Sequence, residues 1–481
     1  MNIPQLVWLR RDLRLHDHHT LKIALDSGES TALVFIFDPL ILNLLTNKQD
    51  RRLTFIIESL EEIEKKLNDC GSSLIIRIGN PTEVWPKLVE EFQTKRVFFN
   101  RDYEPYAKKR DEEVTKVLSK KNVRVETFKD HVFFEKHEVL SQSREIYKVF
   151  TPYKNKWLET FKAQDSHIPE YKTNLKNLLN TKPLNTLLKT DLHLELGFVR
   201  MQDNLLKGGT SYALKRLQDF KDDIDQYDEW RNIPALNKTS NLSVYIRHGN
   251  LSVRDMLRLP HNILSKQKND GANVWMSEII WRDFYQMILD VYPKVEKSSF
   301  KPQYDNVKWV NNKEHFKAWC EGNTGYPIVD SAMRCLNATG MMNNRLRMVV
   351  ASFLCKTLLI DWRWGEKYFA EKLLDFDLAA NNGGWQWSAS TGVDAQPYFR
   401  IFNPYSQSEK FDPDGEFIKT WCIELSHFDK KTIHSPHDTD FVEQAKAQCV
   451  IGKDYPHPIV AYKIQREKAL SMYKSAVKEE S

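Results

Sequence analysis

The stretches QLVWLRR (5–11) and TALVFIFD (31–38) decide the fold class of the first part of the chain. Both are short runs rich in β-branched and aromatic residues, and three similar runs follow: SSLIIRIG (72–79), RVFFNRD (96–102) and VRVETF (123–128). Helical patterns lie between the runs, for example RRLTFIIESLEEIEKKLNDC (51–70) and PTEVWPKLVEEF (81–92). Alternation of short apolar strands with helices predicts an α/β domain built on a doubly wound parallel sheet.

The second part of the chain has a different pattern. Residues 164–195 are polar and only weakly periodic, which predicts a long connection, and helical periodicity dominates from residue 196. Two long helices are predicted at NVWMSEIIWRDFYQMILDVY (273–292) and NNRLRMVVASFLCKTLLIDW (343–362). We therefore expect an α/β domain at 1–135, a connection at 136–195 and an all-α domain at 196–481.

Length and composition bound the class of protein. A chain of 481 residues is too long for one ordinary core, so two or three domains are expected, and a net charge of +5 is only a weak indication of an anionic partner. The six cysteines form no short pair such as CxxC, which is typical of reduced intracellular thiols. The N-terminus becomes charged too early for a signal peptide, and no apolar run approaches about 18 residues. We expect a cytoplasmic protein without a membrane segment.

Several catalytic signatures are missing from the sequence. No GxGxxG follows the first predicted strand, and there is no metal-ligand cluster, no GxSxG elbow and no Walker-type loop. The sequence therefore lacks the usual motifs of hydrolases and phosphoryl-transfer enzymes, and no metal site is expected.

Candidate ligand-binding residues occur in the helix predicted at 273–292. Trp275, Glu278 and Arg282 follow at i, i+3 and i+7 and share one helical face, with Trp281 beside them. A carboxylate and a guanidinium flanked by aromatic rings suit a planar ligand with polar edges. The alternative is a surface ion pair next to core tryptophans, and the spacing leaves both open.

A second candidate group lies in the helix predicted at 343–362. Asn344 and Arg347 share a face of that helix in an otherwise apolar stretch. A buried arginine needs a carboxylate, and Asp375 and Asp377 are the candidates. Such an ion pair can join two helices, hold a ligand, or do both.

Two polar stretches also indicate a bound molecule. TSNLSVYIRHGNLS (239–252) places hydroxyl groups ahead of a predicted helix, where they can hold a phosphate or simply cap the helix. DLAANNGGWQWSAS (377–390) sets two asparagines and two glycines directly before tryptophans. This composition differs from an ordinary core and indicates that something flat and apolar approaches the backbone there.

Five motifs resemble the photolyase/cryptochrome family: VWLRRDLRLHDH (7–18), WMSEIIWRDFY (275–285), TGYPIVDSAMR (324–334), NNRLRMVVASFL (343–354) and DLAANNGGWQWSASTGVDAQPYFRIFNP (377–404). The resemblance extends over almost the whole chain and is greatest to the bacterial class I photolyases of cyclobutane pyrimidine dimers. It implies an α/β domain followed by an all-α FAD-binding domain. It also implies a carbon–carbon lyase, monomeric and without an obligate protein partner, that repairs ultraviolet-damaged DNA by light-driven electron transfer from reduced FAD to a flipped-out dimer.

The resemblance places FAD contacts by position. The phosphates would be bound by Thr239, Ser240, Asn241, Leu242 and Ser243, and further contacts would come from Tyr227, Arg282, Asn344, Arg347, Asp375 and Asp377. Asn381 would face the redox-active ring nitrogen, where a neutral amide can accept a hydrogen bond without adding negative charge. Gly383 and Gly384 would let the backbone approach the flavin.

The resemblance also implies substrate and electron-transfer residues. Glu278 would hydrogen-bond the damaged base, Trp281 and Trp387 would form an aromatic wall for the dimer, and Met348 would pack against it. DNA contacts would come from Arg231, Trp275, Glu278, Asn344, Arg345 and Gln407. The tryptophan chain that reduces oxidised flavin in light would consist of Trp309, Trp362 and Trp385.

A second, light-harvesting pigment is carried by many members of this family, as a folate or a deazaflavin. Folate-binding bacterial members have an Asn-Glu pair where this chain has Tyr106 and Ala107, and a Cys-Lys pair where it has Glu296 and Lys297. Standard folate binding is therefore not expected. A deazaflavin, another flavin and no antenna at all stay open.

Three alternative functions are less compatible with the sequence. Six-four photolyases use two active-site histidines, whereas the matching helix here has Asn344 and Met348. Plant-type cryptochromes, which are blue-light sensors, tend to carry aspartate where Asn381 stands. A generic flavin-dependent oxidoreductase would need a nicotinamide site or another reductant site, and the sequence shows neither.

Overall fold

The computed structural model describes residues 3–181 and 191–478. The chain divides into two compact units. The first consists of Met1–Tyr147, Thr151–Asp222 and Ser240–Pro293, and the second of Lys148–Phe150, Asp223–Thr239 and Lys294–Ser481. Part of the connection predicted at 136–195, residues 182–190, lies outside the described residues.

Five parallel strands form the sheet of the first unit: β1 (Gln5–Leu9), β2 (Thr31–Phe37), β3 (Ile75–Ile78), β4 (Arg96–Asn100) and β5 (Arg124–Phe128). Each of the five predicted runs is a strand, and their order in the sheet is β3-β2-β1-β4-β5. The order reverses between β1 and β4, which makes their carboxyl ends the switch point of a doubly wound sheet. The predicted α/β class is confirmed.

The helices follow in chain order, and most of the chain after residue 150 is helical. Their bounds are α1 (His19–Asp26), α2 (Pro39–Leu42), α3 (Arg51–Asp69), α4 (Pro81–Phe92), α5 (Pro105–Lys120), α6 (Phe150–Ala163), α7 (Leu192–Glu195), α8 (Thr210–Phe220), α9 (Tyr227–Trp230), α10 (Ser243–His248), α11 (Val253–Leu264), α12 (Asp270–Val291), α13 (Lys313–Glu321), α14 (Pro327–Thr339), α15 (Asn344–Lys356), α16 (Trp362–Lys372), α17 (Leu378–Ser388), α18 (Pro404–Phe411), α19 (Glu416–Trp421), α20 (Phe441–Lys446) and α21 (Tyr462–Lys478). The predicted all-α character of the C-terminal part is confirmed.

Both faces of the sheet are buried, which explains why its strands are continuous apolar runs. Successive side chains of β1 point to opposite faces. Val7 and Leu9 pack in a cluster with α1 and α3, whereas Leu6 and Trp8 pack in a cluster with α4 and α5. Burial of both faces stabilises the sheet by about 25 cal/mol per Å² of apolar surface removed from water.

A buried carboxylate anchors α12 within the first unit. Asp283 accepts hydrogen bonds from the backbone N–H groups of Phe133 and Phe134 and from the Trp157 indole, at 3.2–3.3 Å. Burial raises the pKa of Asp283 to about 6, although these hydrogen bonds act to lower it. The middle of α12 is therefore fixed to the segment that follows β5 and to α6.

The motif TGYPIVD builds a turn in the second unit. The buried Asp330 carboxylate accepts hydrogen bonds from the Thr324 and Gly325 N–H groups, from the Thr324 hydroxyl and from the Tyr455 phenol. Gly325 has a φ of +76°, and a β-carbon there would lie 2.4 Å from His457 backbone atoms. These residues therefore serve folding, because they fix the start of α14.

The prediction of one helix over 343–362 is wrong after Lys356. Helix α15 ends at Lys356, and α16 begins at Trp362. Leu359 has a φ of +58°, which no helix accommodates, and the Asp361 carboxylate accepts a hydrogen bond from the Arg363 N–H and so caps the next helix. The apolar residues between the two helices are buried nonetheless. The hydrophobic pattern therefore continues beyond the end of the helix.

Among the described residues, no helix combines the length and the apolar character needed to cross a bilayer.

Candidate functional site

Helix α12 presents the first group of predicted site residues. Trp275 is almost fully buried and packs on Phe220, with ring centroids 5.3 Å apart, whereas Glu278 and Trp281 are partly exposed. Trp281 stacks on Tyr285 at 5.3 Å. On this face of α12, Trp275 is therefore part of the core, whereas Glu278 and Trp281 are accessible. A DNA contact by Trp275 stays a prediction.

Arg282 on the same helix is held by His131. Its guanidinium donates to the His131 carbonyl at 2.6 Å and contacts both ring nitrogens at 2.8–3.0 Å. Burial and the nearby arginines hold the pKa of His131 well below its usual value, so the ring is neutral and can accept from the guanidinium. Arg282 thereby has a fixed orientation on α12.

The stretch predicted to bind phosphates lies directly before α10. Ser240 accepts a hydrogen bond on its hydroxyl from the Leu242 N–H at 3.3 Å, and its carbonyl accepts from Arg216 at 2.8 Å. Asn241 has a φ of +52°, a conformation that asparagine tolerates better than most residues. The stretch 239–252 was expected to precede a helix, but it contains α10, which begins at Ser243, and Thr239 belongs to the second unit.

The predicted ion pair of Arg347 forms with Asp375 and not with Asp377. Its guanidinium donates to both oxygens of the buried Asp375 carboxylate at 2.9 and 3.1 Å, and to the Met342 carbonyl at 3.0 Å. Asp377 instead caps α17, because it accepts a hydrogen bond from the Ala380 N–H. The pair joins α15 to the segment that precedes α17, with the arginine still partly exposed.

Asn381 is oriented by a glutamate that the sequence reasoning missed. Its side-chain N–H donates to the Glu366 carboxylate at 2.8 Å and to the Glu366 carbonyl at 3.1 Å. Within the described part of the chain, the amide oxygen of Asn381 makes no hydrogen bond. The side chain therefore offers an acceptor, which is the role expected for this amide.

The glycine-rich part of α17 leaves room beside the helix. A β-carbon at Gly384 would meet no protein atom within 4 Å. Packing within the protein therefore gives no reason for glycine at this position in the middle of a helix, where it costs about 1 kcal/mol relative to alanine. Close approach of a bound molecule to the backbone would supply such a reason.

The four tryptophans of the second unit that were predicted as site residues fall into two groups. Trp362 and Trp385 are buried, and their indole N–H groups are among the buried polar atoms without a hydrogen-bond partner in the described structure. Trp309 and Trp387 are partly exposed. Gly365 allows α16 to approach the Trp385 ring, since a β-carbon there would lie 2.1 Å from it.

Trp319 is a further aromatic neighbour that spacing could not reveal. Its ring meets that of Trp385 at 6.0 Å in a T-shaped arrangement, and it also contacts Phe316, Tyr368 and Phe369. Trp319 is fully buried, and its indole donates to the Val350 carbonyl at 3.2 Å. It therefore extends the aromatic cluster around Trp385 in a second direction.

Two arginines of the predicted DNA contacts lie near each other in the second unit. Asn343 donates to the Arg231 carbonyl at 3.1 Å, and Arg345 donates to Asn232 at 2.9 Å and covers the Phe411 ring at 4.2 Å. Burial and the charge of Arg231 lower the pKa of Arg345. The next predicted residues on α15, Asn344 and Met348, are exposed and partly exposed, and Gln407 on α18 is partly exposed. This cluster concentrates positive charge.

The switch point of the sheet forms a cleft lined by charged and polar residues: Arg10, Arg11, Asp12, Asn100, Arg101, Asp102, Asp130 and His131. The Arg10 guanidinium lies over the rings of Trp8 and Phe99, at 4.7 and 4.6 Å from their centroids. Burial acts to raise the pKa of Asp102, but the charges of Arg11 and Arg10 outweigh it and hold the pKa below its usual value. The Tyr106 hydroxyl, at the position where a folate contact would stand, donates to Asp38.

Comparison with known families explains the arrangement of these groups. The model for the FAD binding domain of DNA photolyase matches residues 275–475, and the DNA photolyase model matches residues 5–172. The chain is 39% identical to the deoxyribodipyrimidine photo-lyase of Vibrio cholerae, over 98% of this chain and 99% of that protein. The chain belongs to the DNA photolyase family.

Solved structures of the family share the whole fold. The chain resembles the class III photolyase of Agrobacterium tumefaciens with a TM-score of 0.90 and 33% identity, covering 99% of this chain and 98% of that one. The photolyase of Sulfolobus tokodaii, solved with two FAD molecules and discussed for a novel light-harvesting cofactor, gives 0.79 and 33%, covering 98% and 100%. A cryptochrome of Synechocystis gives 0.87 and 27%, covering 98% and 99%. Photolyases and a cryptochrome therefore share this architecture.

The FAD-binding domain of this photolyase-family chain has groups that fit the cofactor. Among the residues that the structure describes, the Asn381 amide oxygen has no hydrogen-bond partner and no atom fills the space beside Gly384 on α17, and Arg347 is partly exposed while paired with Asp375. An acceptor, a guanidinium and a bare stretch of helix suit the polar edge and the flat ring of a flavin.

Proposed function

We propose that this chain is a deoxyribodipyrimidine photo-lyase, which uses light to split cyclobutane pyrimidine dimers in ultraviolet-damaged DNA. The observation that carries the proposal is its identity of 39% to a photo-lyase of that name along almost the full length of both chains. The Asn381 amide, fixed by Glu366 with its oxygen free for an acceptor role, is the supporting feature of the structure.

The cofactor contacts in this proposal follow the family's positions. Thr239, Ser240, Asn241, Leu242 and Ser243 hold the FAD phosphates. Tyr227, Arg282, Asn344, Arg347, Asp375, Asp377 and Asn381 surround the rest of the cofactor. When bound in its reduced form and excited by light, FAD supplies the electron that splits the dimer.

The substrate contacts combine charge with aromatic surface. Glu278 hydrogen-bonds the damaged base, Trp281 and Trp387 stack on the flipped dimer, and Met348 packs against it. Stacking on an aromatic side chain stabilises a bound base by about 1–3 kcal/mol. Arg231, Arg345, Asn344, Trp275 and Gln407 contact the DNA, and the arginine cluster gives the electrostatic attraction to phosphates.

Trp385, Trp362 and Trp309 carry electrons to oxidised FAD in light. Trp385 and Trp362 are buried, which favours electron transfer without release of a proton to water. The proposal therefore separates a feeding chain from the residues that contact the dimer.

The α/β unit is the candidate place for a second, light-harvesting chromophore, near the switch point between β1 and β4. Switch points of doubly wound sheets are common ligand sites, and arginine side chains line this one. Tyr106 and Ala107 stand where folate contacts are expected, so a deazaflavin, another flavin and no antenna at all stay open, and standard folate binding is not proposed.

The proposal includes a cytoplasmic monomer with domains at 1–135 and 196–481 joined by a connection at 136–195. All six cysteines are free thiols, which is typical of a reducing compartment. A cryptochrome-type light sensor and a six-four photolyase are the rival functions within the family. Asn381, where plant-type sensors tend to carry aspartate, and the lack of histidine at Asn344 and Met348 argue against them.

Light-dependent repair tests the proposed function. The purified protein, loaded with FAD and reduced, is mixed with an oligonucleotide that carries one thymine dimer and kept lit or dark. We expect intact thymines only in the lit sample, and a matched oligonucleotide with a six-four lesion should stay unrepaired. Repair in darkness, or repair of the six-four lesion alone, would exclude the proposal.

A further inference from the structure

Helix α18 in the second unit has a buried inner face and an accessible outer face. Pro404, Ser408 and Phe411 are buried. Gln407 is partly exposed and Lys410 is exposed, and these two residues share one side of the helix because they are three positions apart. A helix of eight residues is not stable on its own in water. The contacts of the inner face therefore determine where the outer face stands.

Two histidines of the segment between α19 and α20 hold this inner face. The buried Ser408 hydroxyl and Nδ1 of the buried His434 are hydrogen-bonded at 2.6 Å. One turn earlier on α18, the Tyr405 phenol is hydrogen-bonded to Nε2 of His437 at 3.3 Å, and the centroids of the two rings lie 5.6 Å apart. Hydrogen bonds weaken steeply when donor and acceptor are misaligned, so they fix the rotation of the helix as well as its distance. Apolar contact is not directional and would leave that rotation less well defined.

The C-terminal end of α18 is held by a carboxylate. Asp412, directly after the helix, is buried and accepts hydrogen bonds from the backbone N–H groups of Phe417 and Ile418 at 3.0 and 2.9 Å. Polar contacts therefore attach α18 near its start, in its middle and just beyond its end. Buried polar groups stabilise a fold less than apolar packing of the same volume, but when they are fully hydrogen-bonded they make one arrangement of the joined parts rigid.

The placement of α18 also determines where positive charge stands. The Phe411 ring lies under the Arg345 guanidinium at 4.2 Å and under the Lys410 ammonium at 5.4 Å. Arg345 is held on its other side by Asn232, to which it donates at 2.9 Å. A rotation or shift of α18 would move Phe411, the surface on which both cations rest, and would displace Gln407 with it.

We propose that the Ser408–His434 and Tyr405–His437 hydrogen bonds position α18 for damaged DNA. They set the orientation of the helix before DNA arrives, so that Gln407 and the cations beside it already stand where the DNA strand reaches them. A surface that is ordered in advance loses less conformational entropy on binding, and its affinity is higher for that reason. The inference rests on the proposed function, which gives Gln407 its contact with DNA.

Binding of the FAD-loaded protein to an oligonucleotide with one thymine dimer tests this inference. The variants Ser408→Ala and Tyr405→Phe each remove one hydroxyl group and change the side-chain volume little. We expect the Kd to rise by about two- to tenfold in each variant, the range that the loss of one hydrogen bond produces. Repair per absorbed photon at saturating DNA and the FAD content should stay unchanged, because the proposal places none of these residues against the dimer or the flavin.

Ser299→Ala and Tyr368→Phe are the matched controls in the same unit. The buried Ser299 hydroxyl, in the segment before α13, donates to Asp305 at 2.8 Å, and the Tyr368 phenol on α16 donates to Asn337 at 2.6 Å. Each control removes a hydrogen-bonded hydroxyl of the same kind from another part of the unit. The Kd of both controls should equal that of the unchanged protein.

The salt dependence of the Kd separates a positioning role from a loss of stability. Displacement of one cation from the DNA strand should reduce the slope of log Kd against log salt by about one, the value for one lost phosphate contact. Unchanged Kd and slope in both variants, with lower thermal stability alone, would overturn the inference, since the hydrogen bonds would then serve folding only. If the unchanged protein neither prefers the damaged oligonucleotide nor repairs it in light, the proposed function fails instead.

Hydrogen exchange of the unchanged protein removes any dependence on how the variants fold. The backbone amides of α18 should exchange slowly with D₂O in the free protein and should gain little further protection when the damaged oligonucleotide binds, because the helix is already in place. Fast exchange in the free protein that becomes slow only with DNA bound would contradict the inference.

Discussion

The Asn381 amide donates to the Glu366 carboxylate across 2.8 Å, and Glu366 is partly buried on α16. Burial raises the pKa of Glu366 to about 7, and the charge of Glu296 adds to that effect. Glu366 therefore changes charge near neutral pH, one side chain away from the amide that we propose to contact the flavin.

The Glu366→Gln variant should make the midpoint potential of FAD less dependent on pH. As the pH rises through 7, Glu366 becomes negative and opposes the addition of an electron nearby, so the midpoint potential of FAD should fall more steeply with pH in the unchanged protein than in the variant. Spectroelectrochemical titration between pH 6 and pH 9, chosen to span about one unit or more on either side of that pKa, measures the difference. The control Glu371→Gln, on the same helix, should titrate like the unchanged protein; identical curves for all three proteins would refute the role of Glu366.

Replacement of Trp362 by Phe should separate photoreduction from repair. The side chain is buried, so phenylalanine preserves most of the packing but is much harder to oxidise. We expect loss of light-driven reduction of oxidised FAD, with normal repair once the protein has been reduced chemically. The matched control is Trp364→Phe on the same helix, whose ring contacts Phe316. Equal loss of repair and photoreduction in Trp362→Phe would contradict a purely electron-feeding role.

Glu278→Gln should lower repair while FAD stays bound. Removal of a charged hydrogen-bonding partner typically costs about 1.5–3 kcal/mol, which corresponds to a loss of about tenfold or more in the rate of the step it stabilises. The repair yield falls because that step then competes less well with return of the electron to FAD. Repair per absorbed photon and FAD content are measured on the same samples. Release of FAD from the variant would assign this side chain to the cofactor instead of the damaged base.

The sheet could be predicted because its strands are buried on both faces and therefore consist of consecutive apolar residues. The arginine–aspartate contact could also be predicted, because a buried arginine must be paired, but the sequence did not choose between Asp375 and Asp377. Arg347 pairs with Asp375 because Asp377 is the N-cap residue of α17. The break between α15 and α16 was missed, because nothing in a run of apolar residues signals the left-handed conformation of Leu359.

The residues that adjust the site were not predictable from spacing. Glu366 lies 15 positions before Asn381, on a different helix, and nothing local links the two. Trp319 comes to lie beside Trp385 only after the helices pack. Local patterns thus identified the elements and the chemically unusual stretches, whereas the partners that set the charge of the site required the folded chain.

Lys356 offers a stability test that is independent of FAD and DNA. Its ammonium is buried at the end of α15 and donates to the Ser390 hydroxyl at 2.8 Å and to the Arg400 carbonyl at 3.2 Å. Burial lowers its pKa from 10.5 to about 7. Between these two values the unfolded chain holds a proton that the folded chain has released, so this lysine makes stability rise with pH.

The unfolding free energy of the unchanged protein should rise between about pH 7 and pH 10, which is roughly the interval between the two pKa values of Lys356. The Lys356→Met variant should lose part of that rise. The difference between the unchanged protein and the variant should grow by at most about 1.4 kcal/mol per pH unit, the value of one pKa unit. Urea denaturation at several pH values measures it, with the exposed Lys453→Met as control. Since methionine leaves the Ser390 hydroxyl and the Arg400 carbonyl without their donor, the variant should be less stable at every pH, and only the slope tests the titration. Parallel stability curves for the variant and the unchanged protein would show that Lys356 keeps its proton in the folded chain throughout this range.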